Sequence, residues 1–225
     1  FYARDSGRAP VDNDSHPMSA VPHPATEHEF SSPPPKVRLV NAFERPFENV
    51  VATARTCYSS KGIVTEDQAS PRPERRDALA KSIYAAGHHT TFQHAHFQFA
   101  IENVSRQFLW SFLHSHPFYN SEQVSQRYVE VRSGNYAVPP MGAPEREIFE
   151  TAARRQEQAY RRLTELLKPL AGERYFGLFP GRLRGDGRER FGGAIQKRAQ
   201  EIARYVLPVA TFSYLYHTVS GVTLF

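Results

Sequence analysis

The feature that most constrains this chain is a run of apolar residues at helical spacing that begins at Pro144. Ile148, Ala152, Ala159, Leu163, Leu166, Leu167 and Leu170 fall on one stripe, the pattern of a helix buried along one side. Pro144 suits the first turn, where a missing N–H costs nothing. Such a helix needs a second layer to cover its stripe, and the rest of the chain offers alternating strand and helix signals. Val37-Arg38-Leu39-Val40 alternates as a short strand, and Phe47 to Tyr58 places Val50, Val51, Ala54 and Cys57 at helical spacing. A second helix is predicted from about Arg75 to Ala86, stopped by Gly87.

The alternation continues downstream. Ala95 to Glu102 alternates polar and apolar residues as a half-buried strand. Ser105 is placed to cap a helix carrying Phe108, Leu109, Phe112 and Leu113, which ends before Pro117. Tyr128 to Val131 reads as a strand, and 172–189, rich in Gly, Arg and aromatics, reads as a loop. A helix from about Ala194 to Leu207 is closed by Pro208, and Thr211 to Val219 is β-prone. The class expected is α/β.

Residues 1–36, with the run Ser31-Ser32-Pro33-Pro34-Pro35 and no apolar period, are expected to be a disordered leader, and 37–225 one domain. The chain starts at Phe1 and stops inside the apolar Val222-Thr223-Leu224-Phe225, so it is expected to be a fragment lacking its C-terminal part. No stretch reaches the ~18 apolar residues of a membrane span. With 28 basic and 23 acidic residues the net charge is +5, which favours anionic ligands, while dispersed aromatics without basic alternation argue against a nucleic-acid polymer. The single cysteine, Cys57, excludes an internal disulfide and points to a reducing, cytoplasmic setting. Its helical pattern predicts a small core residue.

Chemistry concentrates between Ser105 and Val131. Ser125-Gln126-Arg127-Tyr128 sets a hydroxyl beside a guanidinium, whose planar fork suits a phosphate. Six histidines, His88, His89, His94, His96, His114 and His116, fall in one span. They admit three readings: metal ligands, scattered structural residues, or the lining of a cofactor or nucleotide site. Only Glu102 and Glu122 are nearby acids for a metal. Arg204 sits among Ala203, Tyr205, Val206 and Leu207, where a guanidinium either snorkels or is buried against an anion or carbonyl.

Five segments occur in an order that resembles the flavin-dependent thymidylate synthases: 52–59 (ATARTCYS), 87–94 (GHHTTFQH), Ser105-Arg106, 125–129 (SQRYV) and 203–208 (ARYVLP). The resemblance covers nearly everything from Val37 to Phe225. It implies a thymidylate synthase-complementing-protein-like α/β fold with a mixed sheet and long helices, and a homotetramer. It also implies FAD as cofactor, with NADPH and methylenetetrahydrofolate as co-substrates in the methylation of dUMP to dTMP. No enzyme nucleophile is needed, since the flavin carries the hard chemistry.

By the same resemblance Ser125, Gln126 and Arg127 cradle the nucleotide phosphate, Gln123 touches nucleotide and flavin, and Arg204 meets the pyrimidine. His88 and Thr90 approach FAD. His114-Ser115-His116 stands where the family carries Arg-His-Arg, and Ser111 where it has Gln or Glu. Ser220-Gly221-Val222 replaces an Asn-x-Arg flavin contact, and a later nucleotide arginine would lie beyond Phe225. Imidazole, with an ordinary pKa of ~6.5, supplies less fixed charge than guanidinium. Two alternatives therefore stand beside the synthase: a non-catalytic or regulatory nucleotide-binding homologue that has lost flavin, and a histidine metalloenzyme acting on a nucleotide.

Overall fold

The computed structural model describes residues 32–69, 72–115 and 119–224. The leader expected over 1–36 lies almost wholly outside them. Strand β1 (Lys36–Ala42) is followed by helices α1 (Pro46–Cys57), α2 (Glu66–Ala69) and α3 (Pro73–Ala85) and a 3-10 turn at His89–His94. Next come β2 (His96–Ser105), α4 (Arg106–Ser115), β3 (Tyr119–Gln123) and the long α5 (Ala143–Leu178). A 3-10 turn at Pro180–Leu183, α6 (Gly187–Arg190), α7 (Gly192–Ala203), a 3-10 turn at Arg204–Val206, β4 (Phe212–Ser220) and α8 (Gly221–Leu224) complete the order.

The α/β class holds, but the sheet is not mixed. Its order is β1-β2-β4-β3, and each neighbouring pair is antiparallel. β2 and β3, joined through α4, run the same way but are not neighbours, because β4 lies between them and pairs antiparallel with both. β2 slips register between Ile101 and Val104. There Asn103 takes a left-handed φ of 57° and donates to the Pro34 carbonyl, as a bulge residue with a short amide can.

α4 lies on this sheet. The Ser105 hydroxyl accepts the Phe108 N–H at 3.0 Å, the cap expected from the sequence. Leu109 then packs with Ile101, Val104 and Leu215, with Phe99, Phe112 and Leu113 at the margin. The backbone N–H groups of Arg106 and Gln107 donate to Thr211 and Val209, so the start of α4 is fixed to the entry of β4. On one face of β4 the buried His217 accepts or donates at 2.6 Å with Ser121 across the strand pair.

Two expectations fail here. Tyr128–Val131 is not a strand: the Tyr128 and Val129 N–H groups both return to the Ser125 carbonyl, closing a turn. The second partner of β4 is instead the polar β3. Residues 172–189 are not all loop, because α5 runs on to Leu178 through Pro169 and Gly172. Its end is held by Tyr175, Phe176, Phe179 and Phe191, with Arg182 stacked on three of those rings. A Cβ on Gly172 would meet Ile195 of α7 at 3.7 Å, an ordinary packing distance.

The buried stripe of α5 is also rotated from the one expected. Ala153, Glu157, Tyr160, Thr164 and Phe176 are buried, while Ile148, Leu166 and Leu170 are exposed. Glu157 is the reason a polar residue can lie inside: its carboxylate accepts the Gly134 N–H at 3.0 Å and the Ser133 hydroxyl at 3.4 Å. Cys57 is exposed at the end of α1, not in the core. Val50, Val51, Ala52 and Ala54 fill that helix's buried face instead.

Candidate functional site

Three distant stretches meet where α7 ends. Arg127, in the turn after β3, reaches Glu201 at 3.7 Å, and Arg198 holds the same carboxylate at 2.8 Å. Arg204, half-buried just beyond α7, donates from Nε to the Glu201 carbonyl oxygen at 3.1 Å and lies 5.2 Å above the Tyr205 ring. Arg106, half-buried at the first turn of α4, donates from Nη1 to Gln123 Oε1 at 3.1 Å. Burial lowers the Arg106 pKa, and the neighbouring charge of Arg204 lowers it further. Neither Arg106 nor Arg204 has a carboxylate partner among the described residues.

The chemistry of this arrangement is that of an anion receptor. Two adjacent guanidinium groups repel unless an anion lies between or before them. Arg127 contacts Glu201 well beyond the 2.7–2.9 Å of a strong charge-assisted bond, so its fork is incompletely used. Ser125 tightens the loop, its hydroxyl accepting the Arg127 N–H at 3.3 Å. The convergence rests on apolar contacts beneath it: Val131, Tyr160 and Ala203 form a buried cluster that joins the turn, α5 and α7.

Not every expected site residue joins this group. Gln126 turns its side chain into a separate cavity of about 380 Å³, beside Glu102, Glu130, Arg132 and Ser213, and neither Arg127 nor Arg204 lines it. Its Nε2 is buried there without a hydrogen-bond partner. Ser111 is exposed on α4, 3.5 Å from Gln107 Nε2. His114 and Ser115 end α4 in the open, bonded to the carbonyls of Trp110 and Phe112, and the His114 ring packs 4.0 Å from Trp110. His116 lies outside the described residues.

Of the expected flavin residues, His88, Thr90 and Ser220 lie elsewhere, around a cavity that none of them lines. The turn with His88 and Thr90 is joined to the end of β4 by the Gly221 N–H, which donates to the Ala95 carbonyl at 2.8 Å. A Cβ on Gly221 would sit 3.1 Å from the Phe92 carbonyl oxygen, a tight contact that a glycine relieves. Between them lies a cavity of about 460 Å³ lined by Lys81, Tyr84, His89, Phe92, Gly221 and Val222. Its rings are ordered: His89 stacks on Tyr84 at 4.9 Å and Phe92 meets Tyr84 edge-on at 5.8 Å. Ser220 bonds Thr223 at 3.1 Å beside it. This lining fits a planar aromatic ring system such as a flavin, with Lys81 its one cation.

The histidines do not form a metal centre: among the described residues no three His, Cys, Asp or Glu side chains group to hold an ion. Nor, among those residues, is any helix long and apolar enough to cross a membrane. Arg106 and Glu201 carried no role that the sequence alone discloses. Their signal was only the Ser-Arg step from strand to helix and an acid one turn before Arg204.

Comparison with known proteins bears on these sites. A family model described as "Thymidylate synthase complementing protein" matches residues 38–225. A Clostridium tetani protein named flavin-dependent thymidylate synthase is 30% identical over 193 residues, covering 84% of this chain and 71% of its own. Its namesake from Nitratidesulfovibrio vulgaris is 31% identical, over 80% of this chain and 66% of its own. The chain thus spans about two thirds of the length of these curated relatives. Among solved structures, the UMP/dUMP methylase PolB of Streptomyces cacaoi, bound with 5-Br dUMP, matches with a TM-score of 0.54 at 19% identity, over 86% of this chain and 76% of that one. That likeness shows the fold.

Proposed function

The chain belongs to the thymidylate synthase complementing protein family, and from that premise we propose that it is a flavin-dependent thymidylate synthase that methylates dUMP to dTMP. In this reading methylenetetrahydrofolate supplies the one-carbon unit and NADPH the electrons, in an oligomer of several copies. The observation that carries it is the gathering of guanidinium groups at the end of α7, where Arg127 pairs loosely with the Glu201 carboxylate, Arg204 bonds the Glu201 backbone carbonyl, and Arg106, held by Gln123, lies close enough to Arg204 to feel its charge. Curated relatives named for the same activity support it.

Each residue has a physical task. Ser125 and Arg127 take the nucleotide phosphate, which replaces the loose Glu201 contact with short charge-assisted bonds. Arg204, already held at Nε, keeps its outer N–H groups for the pyrimidine carbonyls, and Gln123 lies at the edge of the same site. Tyr84, His89 and Phe92, with His88, Thr90 and Ser220 around them, would hold the flavin ring. When bound, flavin supplies the reducing equivalents that make a transferred one-carbon unit a methyl group.

The purified protein should carry flavin absorbance and form dTMP from dUMP with NADPH and methylenetetrahydrofolate. Arg127→Ala and Arg204→Ala should each weaken dUMP binding about 10- to 100-fold, as loss of a charge-assisted hydrogen bond implies. A protein that binds dUMP yet ignores FAD would support the flavin-free nucleotide-binding homologue, a reading favoured by His114 standing exposed where a relative's arginine would be. A protein that binds neither would end both.

A further inference from the structure

Arg106 and Gln123 are locked to one another in a way that fixes what Gln123 can recognise. Arg106 is held by its backbone bond to Thr211 and by the Ser105-capped turn. Gln123 closes β3 opposite Leu215, which turns its side chain toward the α4 side of the sheet. The guanidinium has only donors, so the atom that Gln123 offers it, at 3.1 Å, must be the carbonyl Oε1. The reverse amide orientation would set N–H against N–H. Gln123 Nε2 is thereby left pointing elsewhere, with no partner among the described residues. Gln123 is half-buried, and Nε2 is not among the atoms sealed from solvent, so a ligand can reach it.

We propose that Arg106 is a positioning residue for the nucleotide site: by occupying the carbonyl end of Gln123 it turns that amide's NH2 toward the ligand, so the atom met there is an acceptor, a uracil carbonyl. This rests on the dUMP reading above. An amide not so anchored presents either end and loses this selectivity. Arg106 also brings a second positive charge beside Arg204, whose repulsion adds to burial in lowering the Arg106 pKa, and makes the site favourable to the electron-rich edge of a base.

The test is a double-mutant cycle on dUMP binding, measured by calorimetry on the full chain. Arg106→Met and Gln123→Leu should each weaken binding about tenfold, and the double variant about tenfold rather than a hundredfold, because Arg106 acts through Gln123. Arg106→Lys, which keeps one donor for Oε1, should stay within about threefold of the wild type. 2-Deoxyribose 5-phosphate, which lacks the base, should bind the wild type and Gln123→Leu alike. An additive cycle, or equal loss of the base-free probe, overturns the inference while leaving the dUMP site standing. If Arg106→Met does not fold, Gln123→Leu decides: binding equal to wild type removes the proposal. A wild type that fails to bind dUMP removes the functional reading and this inference with it.

Discussion

The two ends of α4 face different kinds of surroundings. At its start, Arg106 bonds Gln123 and neighbours Arg204, which with Arg127 and Arg198 contacts Glu201. At its end, His114 packs on Trp110, and the ring-lined cavity near β4's end has Lys81 as its one lining cation. The first is a site of fixed charge, suited to an anion at any physiological pH. The second relies on stacked rings and titratable imidazoles. One region has the fixed charge that an anion needs, and the other offers a planar ring system contacts but little positive charge.

The sharpest way to break the comparison is to loosen the helix that separates the two regions. Leu109 is 2% exposed and packs with Ile101, Val104 and Leu215. Leu109→Ala should cost about 2–5 kcal/mol of stability, read from denaturant unfolding. If α4 is a rigid spacer, dUMP binding and flavin content should fall together as the helix loosens. If one survives intact, that region does not depend on α4.

A smaller effect would sharpen the comparison from the weaker side. His114→Arg adds a permanent guanidinium at an exposed position that costs no burial. Flavin affinity should rise about tenfold, roughly the net worth of one charge-assisted hydrogen bond, with dUMP affinity unchanged. Fluorescence titration with FAD measures it. No gain would mean that the end of α4 does not face the cofactor and that the charge deficit lies elsewhere.

What the sequence disclosed divides along similar lines. The cap at Ser105, the stop at Gly87, and strand β4 were legible because capping, left-handed φ and alternation are local. β3 was not, because its residues Tyr119-Asn120-Ser121-Glu122-Gln123 form an edge strand specified by pairing with β4, not by apolar alternation. The turn at Ser125 was read as a strand since its bonds to Tyr128 and Val129 are invisible in residue types. The stripe on α5 was misplaced by one face because Glu157, polar in sequence, is buried by bonding the Gly134 turn. For the site, Arg127 and Arg204 were named from motifs, whereas Arg106's contact with Gln123 spans 17 residues and exists only through the fold.

The smallest effect tests the floor of the charged region. Tyr160 is 1% exposed in the cluster with Val131 and Ala203 beneath Arg204. The Val131 backbone approaches its hydroxyl but forms no hydrogen bond of ordinary geometry, so the group is buried unpaired. Burial raises its pKa above the ordinary 10.0. A phenol that keeps its proton longer when folded contributes stability that is fully present below pH ~10 and is lost as pH climbs from there toward the raised value. Tyr160→Phe should therefore change stability at neutral pH by no more than about 1 kcal/mol, with a gain as natural as a loss, since it removes an unpaired buried hydroxyl. It should also flatten the fall of the thermal midpoint above pH ~10. A loss of several kcal/mol at neutral pH would show that the hydroxyl bonds a group essential to the floor, and that the charged region rests on a polar network rather than on apolar packing alone.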